Sequence, residues 1–388
     1  MNYKKINIAI VGFGNIGSYF YKTLNKNKKN IALITGKYPV IKYISARNIS
    51  KKRRIKIPKS KWIKNPMLLV KKNDTETNVN VEKISIDDIK EEELEITTKH
   101  SSVNYKDGLA TTPNAGFIKK WPHVPGIDVA GIVSKSNSKK FKEGDEVIGT
   151  GFGIGAEKYG GYSQKLILPS DWILHRPKNL SLKDAMRFGT AGFTAALAIR
   201  RLEENFITPE KGEIIVTGAS GGVGTMAVSM LSSLGYDVVA STGKSKAKEL
   251  LINLGAKRVI SREETNLEAK PMGSALWAGA IDQVGGNILK WILSTMKYRG
   301  VCASTGLTLS PKFDSFVFPF IIRGASLLGI DSVQCPMTER PKLWERMSNE
   351  LKPDSLSSMG NDVTLEELPN TLNEILNGKI TGRTVVNL

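Results

Sequence analysis

Apolar positions in the middle of the chain alternate between strand-like runs and a helical period. The short apolar run Glu213–Thr217 is followed directly by the glycine-rich sequence 218–224. One face of a helix then carries apolar residues at i, i+4, i+7, i+8 and i+11, namely Val223, Ala227, Met230, Leu231 and Leu234. Gly235 ends this helix, and further apolar runs follow at 236–240, 258–260, 278–282 and 300–304. This alternation predicts an α/β fold with a Rossmann-type, doubly wound parallel sheet.

Residues 67–188 show a different pattern, in which glycine and proline interrupt short apolar runs. Strands are predicted at Leu68–Val70, Leu94–Thr97, Val129–Val133 and Glu146–Gly149. This pattern favours a small β-barrel ahead of the nucleotide-type sheet. The last stretch, 323–388, is predicted to return to the barrel and close it. The expected domains are therefore 67–188 with 323–388, and 189–322.

The first 66 residues contain a second glycine-rich loop. Strands are predicted at Ile6–Val11 and Val40–Ser45, and a helix is predicted to run through Leu24. A G-x-G-x-x-G sequence opens that helix, formed by Gly12, Gly14 and Gly17. Glycines at these positions let a pyrophosphate approach backbone N–H groups at the start of a helix.

This N-terminal segment resembles the start of homoserine dehydrogenase, including the run 45–47, and the resemblance ends near Pro66. Arg47, after the second strand, would suit a 2′-phosphate better than a ribose hydroxyl. Two strands and a helix cannot cover a parallel sheet on both faces. We therefore predict an incomplete dinucleotide-fold fragment over residues 1–66, with a boundary at Asn65–Met67 and no stable nucleotide binding.

The net charge of +19 is concentrated in the same segment. Residues 1–66 hold 14 Lys, 3 Arg and no acidic residue, whereas residues 67–388 hold 39 basic and 37 acidic residues. A basic arm that binds nucleic-acid phosphates is one interpretation. A charged, solvated appendage is the other, and we favour it. Nucleic acid is therefore not the expected partner.

The apolar runs, the N-terminus and the cysteines indicate the cellular compartment of the protein. No apolar run approaches the ~18–20 residues of a membrane span, and the N-terminus has no secretory cleavage pattern. The two cysteines, Cys302 and Cys335, form no disulfide framework and fit a reducing compartment. A cytoplasmic enzyme without membrane attachment is expected.

The residues after the second strand of the central sheet indicate the cofactor. An acidic residue there would bind the ribose diol of NAD. This chain has Ser241, Thr242, Gly243 and Lys244 instead, and Arg262 follows the third strand. Hydroxyls and cations suit a 2′-phosphate, so NADPH is predicted. The alternative is that Lys244 is an ordinary surface lysine of a basic run.

Seven motifs follow one another along residues 67–388. They are SSVNYKD (101–107), PGID (125–128), GTAGFTA (189–195), TGASGGVG (217–224), WAGAID (277–282), GIDSV (329–333) and GRT (382–384). Together they resemble the acrylyl-CoA reductase (NADPH) group of the zinc-free, quinone-oxidoreductase-like medium-chain reductases. The resemblance implies a GroES-like β-barrel catalytic domain, a Rossmann NADPH-binding domain and reduction of acryloyl-CoA to propanoyl-CoA. The expected partners are an enoyl-CoA thioester and a second copy of the chain in a homodimer.

Zinc is not expected. Gly126, Ile127 and Asp128 stand where metal-dependent relatives carry Gly-His-Glu, and no Cys-x-x-Cys pattern exists. The three histidines are interpreted as ordinary polar residues: His100, His123 and His175. Without a metal, hydride addition to an activated C=C is easier than alcohol oxidation, because the conjugated thioester already accepts charge.

The resemblance also implies the site residues. Tyr105 lines the nicotinamide end, where its hydroxyl either holds the cofactor ribose or supplies the proton. The pyrophosphate is expected against Ser220, Gly221, Gly222 and Val223, and the adenosine phosphate against Thr242, Gly243, Lys244 and Arg262. Also expected around the cofactor are Leu307, Ile322, Ser332 and Arg383. Two alternative functions stay open: a quinone or enal reductase, and a non-catalytic protein that binds NADPH or nucleic acid.

Overall fold

A computed structural model of the protein describes residues 3–11, 13–46, 55, 57–58, 61–63, 79, 81, 88–113, 115–118, 121 and 123–388. The chain divides into two compact units, Met1–Asn78 and Val79–Leu388. Four features predicted from the sequence lie outside the described residues: Gly12, Arg47, the strand Leu68–Val70 and the boundary at Asn65–Met67.

The described residues of the first unit form a three-stranded parallel sheet and one helix. Its elements are β1 (Lys4–Val11), α1 (Asn15–Thr35), β2 (Lys37–Ser45) and β3 (Trp62–Ile63). The strand order is β1-β2-β3. The sheet thus has one strand more than the sequence predicted, because a two-residue strand is too short to produce a periodic pattern.

Helix α1 is longer than predicted. It continues past Leu24 and ends at Gly36, whose φ of 67° places it in the left-handed region. Its buried residues, Gly17, Leu24 and Ala32, face the core of this unit. The core consists of Ile10, Phe13, Leu24, Ile41, Ile44 and Ala46.

The second unit opens with the barrel-type sheet. Its first strands are β4 (Glu93–Ser102), β5 (Asp128–Ser136), β6 (Glu146–Thr150), β7 (Lys165–Pro169) and β8 (Ile173–His175). All of their pairings are antiparallel, with β4 between β5 and β7, and β6 between β5 and β8. Alternate side chains fill an apolar interior of Leu94, Ile96, Val129, Val133, Val147, Ile154, Leu166, Leu168 and Ile173. A short helix, α2 (Tyr105–Ala110), follows β4.

A six-stranded parallel sheet follows the long helix α3 (Leu182–Glu204). Its strands are β9 (Ile214–Val216), β10 (Val238–Thr242), β11 (Arg258–Ser261), β12 (Trp277–Asp282), β13 (Met296–Ser304) and β14 (Ser326–Gly329). The connecting helices are α4 (Gly222–Ser233), α5 (Lys248–Asn253), α6 (Arg262–Thr265), α7 (Gly286–Ser294) and α8 (Phe318–Arg323).

The strand order in this sheet is β11-β10-β9-β12-β13-β14. The chain therefore reverses its winding direction at β9. Open α/β sheets bind ligands in the crevice outside the carboxyl ends of the strands at such a reversal. The parallel sheet together with the barrel-type sheet confirms the predicted fold class.

The chain then returns to the barrel-type sheet. The returning elements are α9 (Arg340–Ser348), β15 (Asn361–Thr364), α10 (Leu368–Leu376) and β16 (Thr384–Asn387). β16 pairs antiparallel with β4 and parallel with β15. β14, which lies within the predicted return segment 323–388, pairs with β13 as the sixth strand of the parallel sheet. No helix within the described ranges combines the length and apolar character needed to cross a bilayer.

Candidate active site

The glycine-rich turn between β9 and α4 lies at the reversal of strand order. Gly218 has a φ of 56°, a conformation that glycine adopts without strain. Gly224 packs so closely that a Cβ there would lie 2.5 Å from the Cα of Ala219. A Cβ at Gly221, in contrast, would meet only the Gly218 carbonyl oxygen, at 3.3 Å. The turn is thus tightly closed at Gly224 and open at Gly221. The first N–H groups of a helix such as α4 have no carbonyl partner within the helix, and a helix start of this kind suits an anion.

Ser220 and Thr242 connect this turn to the end of β10. Their hydroxyl oxygens are 2.8 Å apart, and the backbone N–H of Lys244 donates to Thr242 Oγ1 at 3.1 Å. Val223, in the first turn of α4, packs its side chain against the apolar core. The pyrophosphate and adenosine residues predicted from the sequence therefore adjoin one another.

Two cations, Lys244 and Arg262, lie beyond Thr242. The Arg262 guanidinium covers Gly243, where a Cβ would be 2.9 Å from Arg262 Cζ. Burial, and then the charge of Arg262, lowers the pKa of Lys244. Within the described part of the chain, neither cation forms a salt bridge with a carboxylate. This end of the crevice therefore has positive charge available for an anionic group.

The segment before β16 closes against the same end of the site. Lys244 Nζ donates to the carbonyl oxygen of Ile380 at 2.6 Å and to Thr381 Oγ1 at 3.4 Å. The N–H of Gly382 donates to the carbonyl oxygen of Ser220 at 2.9 Å. Sequence reasoning missed Ile380 and Thr381, because 136 positions separate Lys244 from Ile380 and no local pattern indicates the contact.

Tyr105 is the first residue of α2, and its side chain is 40% exposed. The buried carboxylate of Asp107 accepts a hydrogen bond from the backbone N–H of Asn104 at 2.9 Å, which caps the helix. Asp107 also accepts from the backbone N–H groups of Gly126, at 3.1 Å, and Ile127, at 2.9 Å. The turn that carries Tyr105 is therefore fixed to the start of β5, while the Tyr105 side chain stays accessible.

Asp128 is the centre of a buried polar cluster that joins the barrel-type sheet to α3. Its Oδ2 accepts from Ser102 Oγ at 2.5 Å, Asn104 Nδ2 at 2.8 Å and the backbone N–H of Thr190 at 2.9 Å. Its Oδ1 accepts from Thr190 Oγ1 at 2.5 Å. The sequence distinguished Asp128 only as a replacement for a glutamate of metal-dependent relatives. The structure shows it as a hydrogen-bonding centre.

Arg383 belongs to the same cluster and is 2% exposed. Its guanidinium donates to Ser102 Oγ at 2.8 Å, Asn104 Oδ1 at 3.3 Å and the carbonyl oxygen of Arg187 at 3.0 Å. A Cβ on Gly222 would lie 2.9 Å from Arg383 Nη1. Arg383 thus lies beneath the first residue of α4 and connects the glycine-rich turn to the turn that precedes Tyr105.

Burial shifts the pKa values of the ionisable groups in this cluster. Burial, and then the charge of Asp128, raises the pKa of Asp107 to about 7. Burial, and then the charge of Asp107, raises the pKa of the Tyr162 phenol, which donates to the carbonyl oxygen of Ser102 at 3.0 Å. Burial lowers the pKa of Arg383, and the charge of Asp128 opposes that change. The charge of the cluster therefore changes near neutral pH through Asp107.

Three further residues that the sequence predicted around the cofactor, Ser332, Leu307 and Ile322, lie in different parts of the structure. Ser332 is buried, and its hydroxyl oxygen lies 2.7 Å from Thr194 Oγ1. Thr194 Oγ1 donates to the carbonyl oxygen of Thr190, which places Ser332 next to the Asp128 cluster. Leu307 lies in the loop after β13, where its Cα would be 3.6 Å from a Cβ on Gly285. Ile322 lies on α8 with 55% of its surface exposed. Ile322 therefore belongs to an exposed apolar face rather than to the polar cluster.

The candidate metal ligands of the sequence are dispersed. In the described ranges, no group of three or more His, Cys, Asp or Glu side chains is placed to hold a metal ion. Cys302 and Cys335 are buried free thiols. His100 Nδ1 lies 3.0 Å from Asn387 Oδ1, His123 packs near Tyr159, and His175 packs against Phe141.

Two family models match the second unit. The alcohol dehydrogenase GroES-like domain matches residues 90–178, and the zinc-binding dehydrogenase domain matches residues 222–349. The first match covers β4 to β8, and the second starts at the first residue of α4 and covers the parallel sheet from β10 to β14. The fold and the site thus define an oxidoreductase of the medium-chain dehydrogenase/reductase class.

Individual relatives narrow this class. YhfP of Bacillus subtilis, named provisionally as a quinone oxidoreductase, is 48% identical over 83% of this chain and 98% of its own length. Its structure with NAD bound has a TM-score of 0.77, covering 81% of this chain and 97% of that chain. The acrylyl-CoA reductase AcuI of Ruegeria pomeroyi is 43% identical over 80% of this chain and 95% of its own length.

A solved structure of Escherichia coli YhdH with bound NADPH is also similar. It is 40% identical, has a TM-score of 0.77, and covers 79% of this chain and 95% of that chain. The chain belongs to the quinone-oxidoreductase-like medium-chain reductases. Its relatives in this family include acrylyl-CoA reductases. The family predicted from the sequence is confirmed, and the protein is an oxidoreductase.

Proposed function

We propose that this protein reduces an activated C=C with NADPH, and that acryloyl-CoA, reduced to propanoyl-CoA, is its substrate. The observation that carries the cofactor assignment is the cation pair Lys244 and Arg262 beyond Thr242. Two cations without a carboxylate partner in the described residues fit a 2′-phosphate, and the acid that would bind a ribose diol is replaced by a hydroxyl. The NADPH in the related YhdH structure supports the same assignment.

The residues of the crevice fit the rest of this cofactor. The open turn at Gly221 offers the N–H groups of α4 to a pyrophosphate, and Gly222 packs closely against Arg383, with no space for a Cβ. NADPH, when bound, supplies a hydride. The chain has to orient the acceptor carbon within ~3–3.5 Å of the donor carbon and to direct hydrogen-bond donors at the developing enolate oxygen.

The chemistry of the acceptor favours the β-carbon of an enoyl thioester. Hydride addition there places the negative charge on the thioester oxygen, and a proton then adds at the α-carbon. Tyr105 is the exposed phenol on the capped turn of α2, so it can supply that proton or hold the cofactor ribose. Both roles for Tyr105 stay open, and they differ in their kinetic consequences.

The substrate assignment is supported by the relatives named as acrylyl-CoA reductases at 43% and 40% identity. The second candidate is a quinone, because the 48% identical YhfP carries a quinone oxidoreductase name. NADPH oxidation should be measured at 340 nm with acryloyl-CoA, an α,β-unsaturated aldehyde and a soluble quinone in parallel. We expect the highest kcat/KM for acryloyl-CoA. A higher value for the quinone would reverse the substrate assignment.

A homodimer is also part of the proposal. β14 is the last strand of the parallel sheet, and α8 before it exposes Phe318, Ile321 and Ile322. An edge strand beside exposed apolar side chains is typical of a self-association surface. Light scattering of the purified chain should give twice the monomer mass, and Ile321→Glu should lower it. A monomer at micromolar concentration would contradict this part.

A further inference from the structure

Gln283 follows β12, and its side-chain oxygen has no hydrogen-bond partner among the residues that the structure describes. The residue is 8% exposed. Its Nε2 donates to the carbonyl oxygen of Ile281 at 3.2 Å, which fixes the orientation of the amide. Its Oε1 is buried and accepts no hydrogen bond from the described residues. A buried carbonyl oxygen without a donor destabilises the fold, so its presence in this crevice requires a reason.

The unpaired oxygen borders the glycine-rich turn. A Cβ on Gly218 would lie 3.4 Å from Gln283 Oε1. The backbone of Gln283 is held from the other side, since its carbonyl oxygen accepts from Thr308 N at 3.3 Å and from Thr308 Oγ1 at 3.2 Å. The acceptor is therefore held at the carboxyl edge of the sheet, next to the point where strand order reverses.

The strand order indicates which half of the cofactor reaches Gln283. Lys244 and Arg262 follow β10 and β11, which lie on one side of β9, and Gln283 follows β12 on the other side. A dinucleotide lies across the reversal with its two halves over opposite sides of the sheet. With the 2′-phosphate at Lys244, the nicotinamide half lies over β12.

We propose that Gln283 is a cofactor-binding residue whose Oε1 accepts a hydrogen bond from the nicotinamide half of NADPH, from a ribose hydroxyl or the carboxamide N–H. This inference rests on the proposed NADPH dependence. It accounts for the unpaired acceptor, because the donor is supplied by the cofactor. The unpaired Oε1 destabilises the cofactor-free protein, and this destabilisation is relieved when the cofactor binds.

Gln283→Met tests this proposal, since it keeps the length of the side chain and removes the acceptor. The melting temperature of the cofactor-free protein should rise by about 2 °C, because removal of the unpaired Oε1 outweighs loss of the Nε2 bond to the Ile281 carbonyl oxygen, which still accepts from Thr217 N. The Kd values for NADPH and NADH, measured by titration calorimetry, should each rise by about tenfold. The Kd for 2′,5′-ADP, which lacks the nicotinamide half, should stay unchanged.

Thr98→Val is the matched control, because Thr98 Oγ1 is a buried oxygen of β4 that also has no partner in the described residues. It should raise the melting temperature similarly without changing any Kd.

Three results would overturn the role of Gln283: an unchanged NADPH affinity in Gln283→Met, a lower melting temperature, or equal weakening of 2′,5′-ADP. Failure of the unmodified chain to bind NADPH would overturn the cofactor assignment as well. Normal NADPH binding without turnover of acryloyl-CoA would overturn the substrate assignment alone.

Discussion

The side-chain nitrogen of Lys244 lies 2.6 Å from the carbonyl oxygen of Ile380, in the segment that returns the chain to the barrel-type sheet. This bond restricts a flexible lysine to one direction, next to Arg262 and Thr242. A cation held in place in this way loses less conformational entropy when it binds an anion. The contact thus links cofactor preference to the closure of the barrel.

Lys244→Ala should weaken NADPH binding by about 1–3 kcal/mol, the range of a charge-assisted hydrogen bond, and should leave NADH binding nearly unchanged. Fluorescence titration with NADPH and with NADH measures the ratio of the two Kd values in each variant. Lys246→Ala is the control, since Lys246 is an exposed lysine of the same basic run. Equal NADH and NADPH affinities in the unmodified chain would contradict the assignment of the 2′-phosphate site.

Tyr105→Phe separates the two roles of the exposed phenol on α2. If Tyr105 supplies the α-proton, kcat should fall by roughly 10²–10⁴ with little change in the KM for NADPH. If Tyr105 holds the cofactor ribose, the KM for NADPH should rise and kcat should change little. Tyr159→Phe serves as a control for loss of a hydroxyl elsewhere in the barrel-type domain. Unchanged kinetic constants in Tyr105→Phe would remove Tyr105 from the site.

Gly189→Ala should be strongly destabilising. Gly189 has φ 51° and ψ −157° within α3, and a Cβ there would lie 2.5 Å from Asp128 Oδ2 and 2.5 Å from Ser102 Oγ. Backbone strain and overlap with the buried cluster should together cost on the order of 3 kcal/mol or more in urea unfolding.

Gly235→Ala is the matched control for Gly189→Ala. Gly235 also has a positive φ, of 82°, but a Cβ there would have no neighbour within 4 Å in the part of the chain that the structure describes. Its cost should be about 1 kcal/mol, the strain of the backbone alone. Similar losses in the two variants would mean that the Asp128 cluster tolerates a side chain at position 189.

Asp107 predicts a pH dependence of stability. Its folded-state pKa of about 7 lies above the usual value of 3.8, so the folded chain binds the proton more tightly than the unfolded chain. This contribution to stability is fully present below about pH 3.8 and is lost as the pH rises to about 7. Urea unfolding at pH 5, 6, 7 and 8 should show this decline, and Asp107→Asn should remove it.

The control for this pH dependence is Asp354→Asn, which removes an exposed carboxylate and should leave the pH profile parallel to that of the unmodified chain. The quantity to compare is the slope of the free energy of unfolding against pH. The absolute stability also changes in Asp107→Asn, because Asn at position 107 alters the hydrogen bonds to Gly126 and Ile127. An identical slope in Asp107→Asn would show that Asp107 does not titrate in this range.

A shortened chain that begins at Met67 should fold, bind NADPH and turn over at close to the full-length rate. Residues 1–66 carry most of the net charge, so their removal should mainly reduce non-specific binding to polyanions. Gly14→Asp in the full chain should leave turnover unchanged. Insolubility of the shortened chain, or loss of turnover with Gly14→Asp, would show that this unit takes part in the enzyme.

Much of the central sheet could be predicted because its signals are local. The strand before Gly218, the helical face that includes Val223 and Met230, and the helix end at Gly235 each depend on neighbouring residues. The position of β14 could not be predicted, since a four-residue strand gains its place only from pairing with β13. Propensity is weak for such short elements, and tertiary pairing decides them.

The sequence by itself determined the fold class, the family and the kinds of residue at the phosphate end of the site. These follow from glycine spacing, the missing acid after β10 and the order of the motifs, all of which are local features. Only the tertiary structure decided that Lys244 meets Ile380, that Arg383 and Asp128 share one buried cluster, and that Gln283 keeps an unpaired oxygen. Such contacts join residues far apart in the chain, and their energies depend on burial and on which donors remain unpaired once the fold has formed.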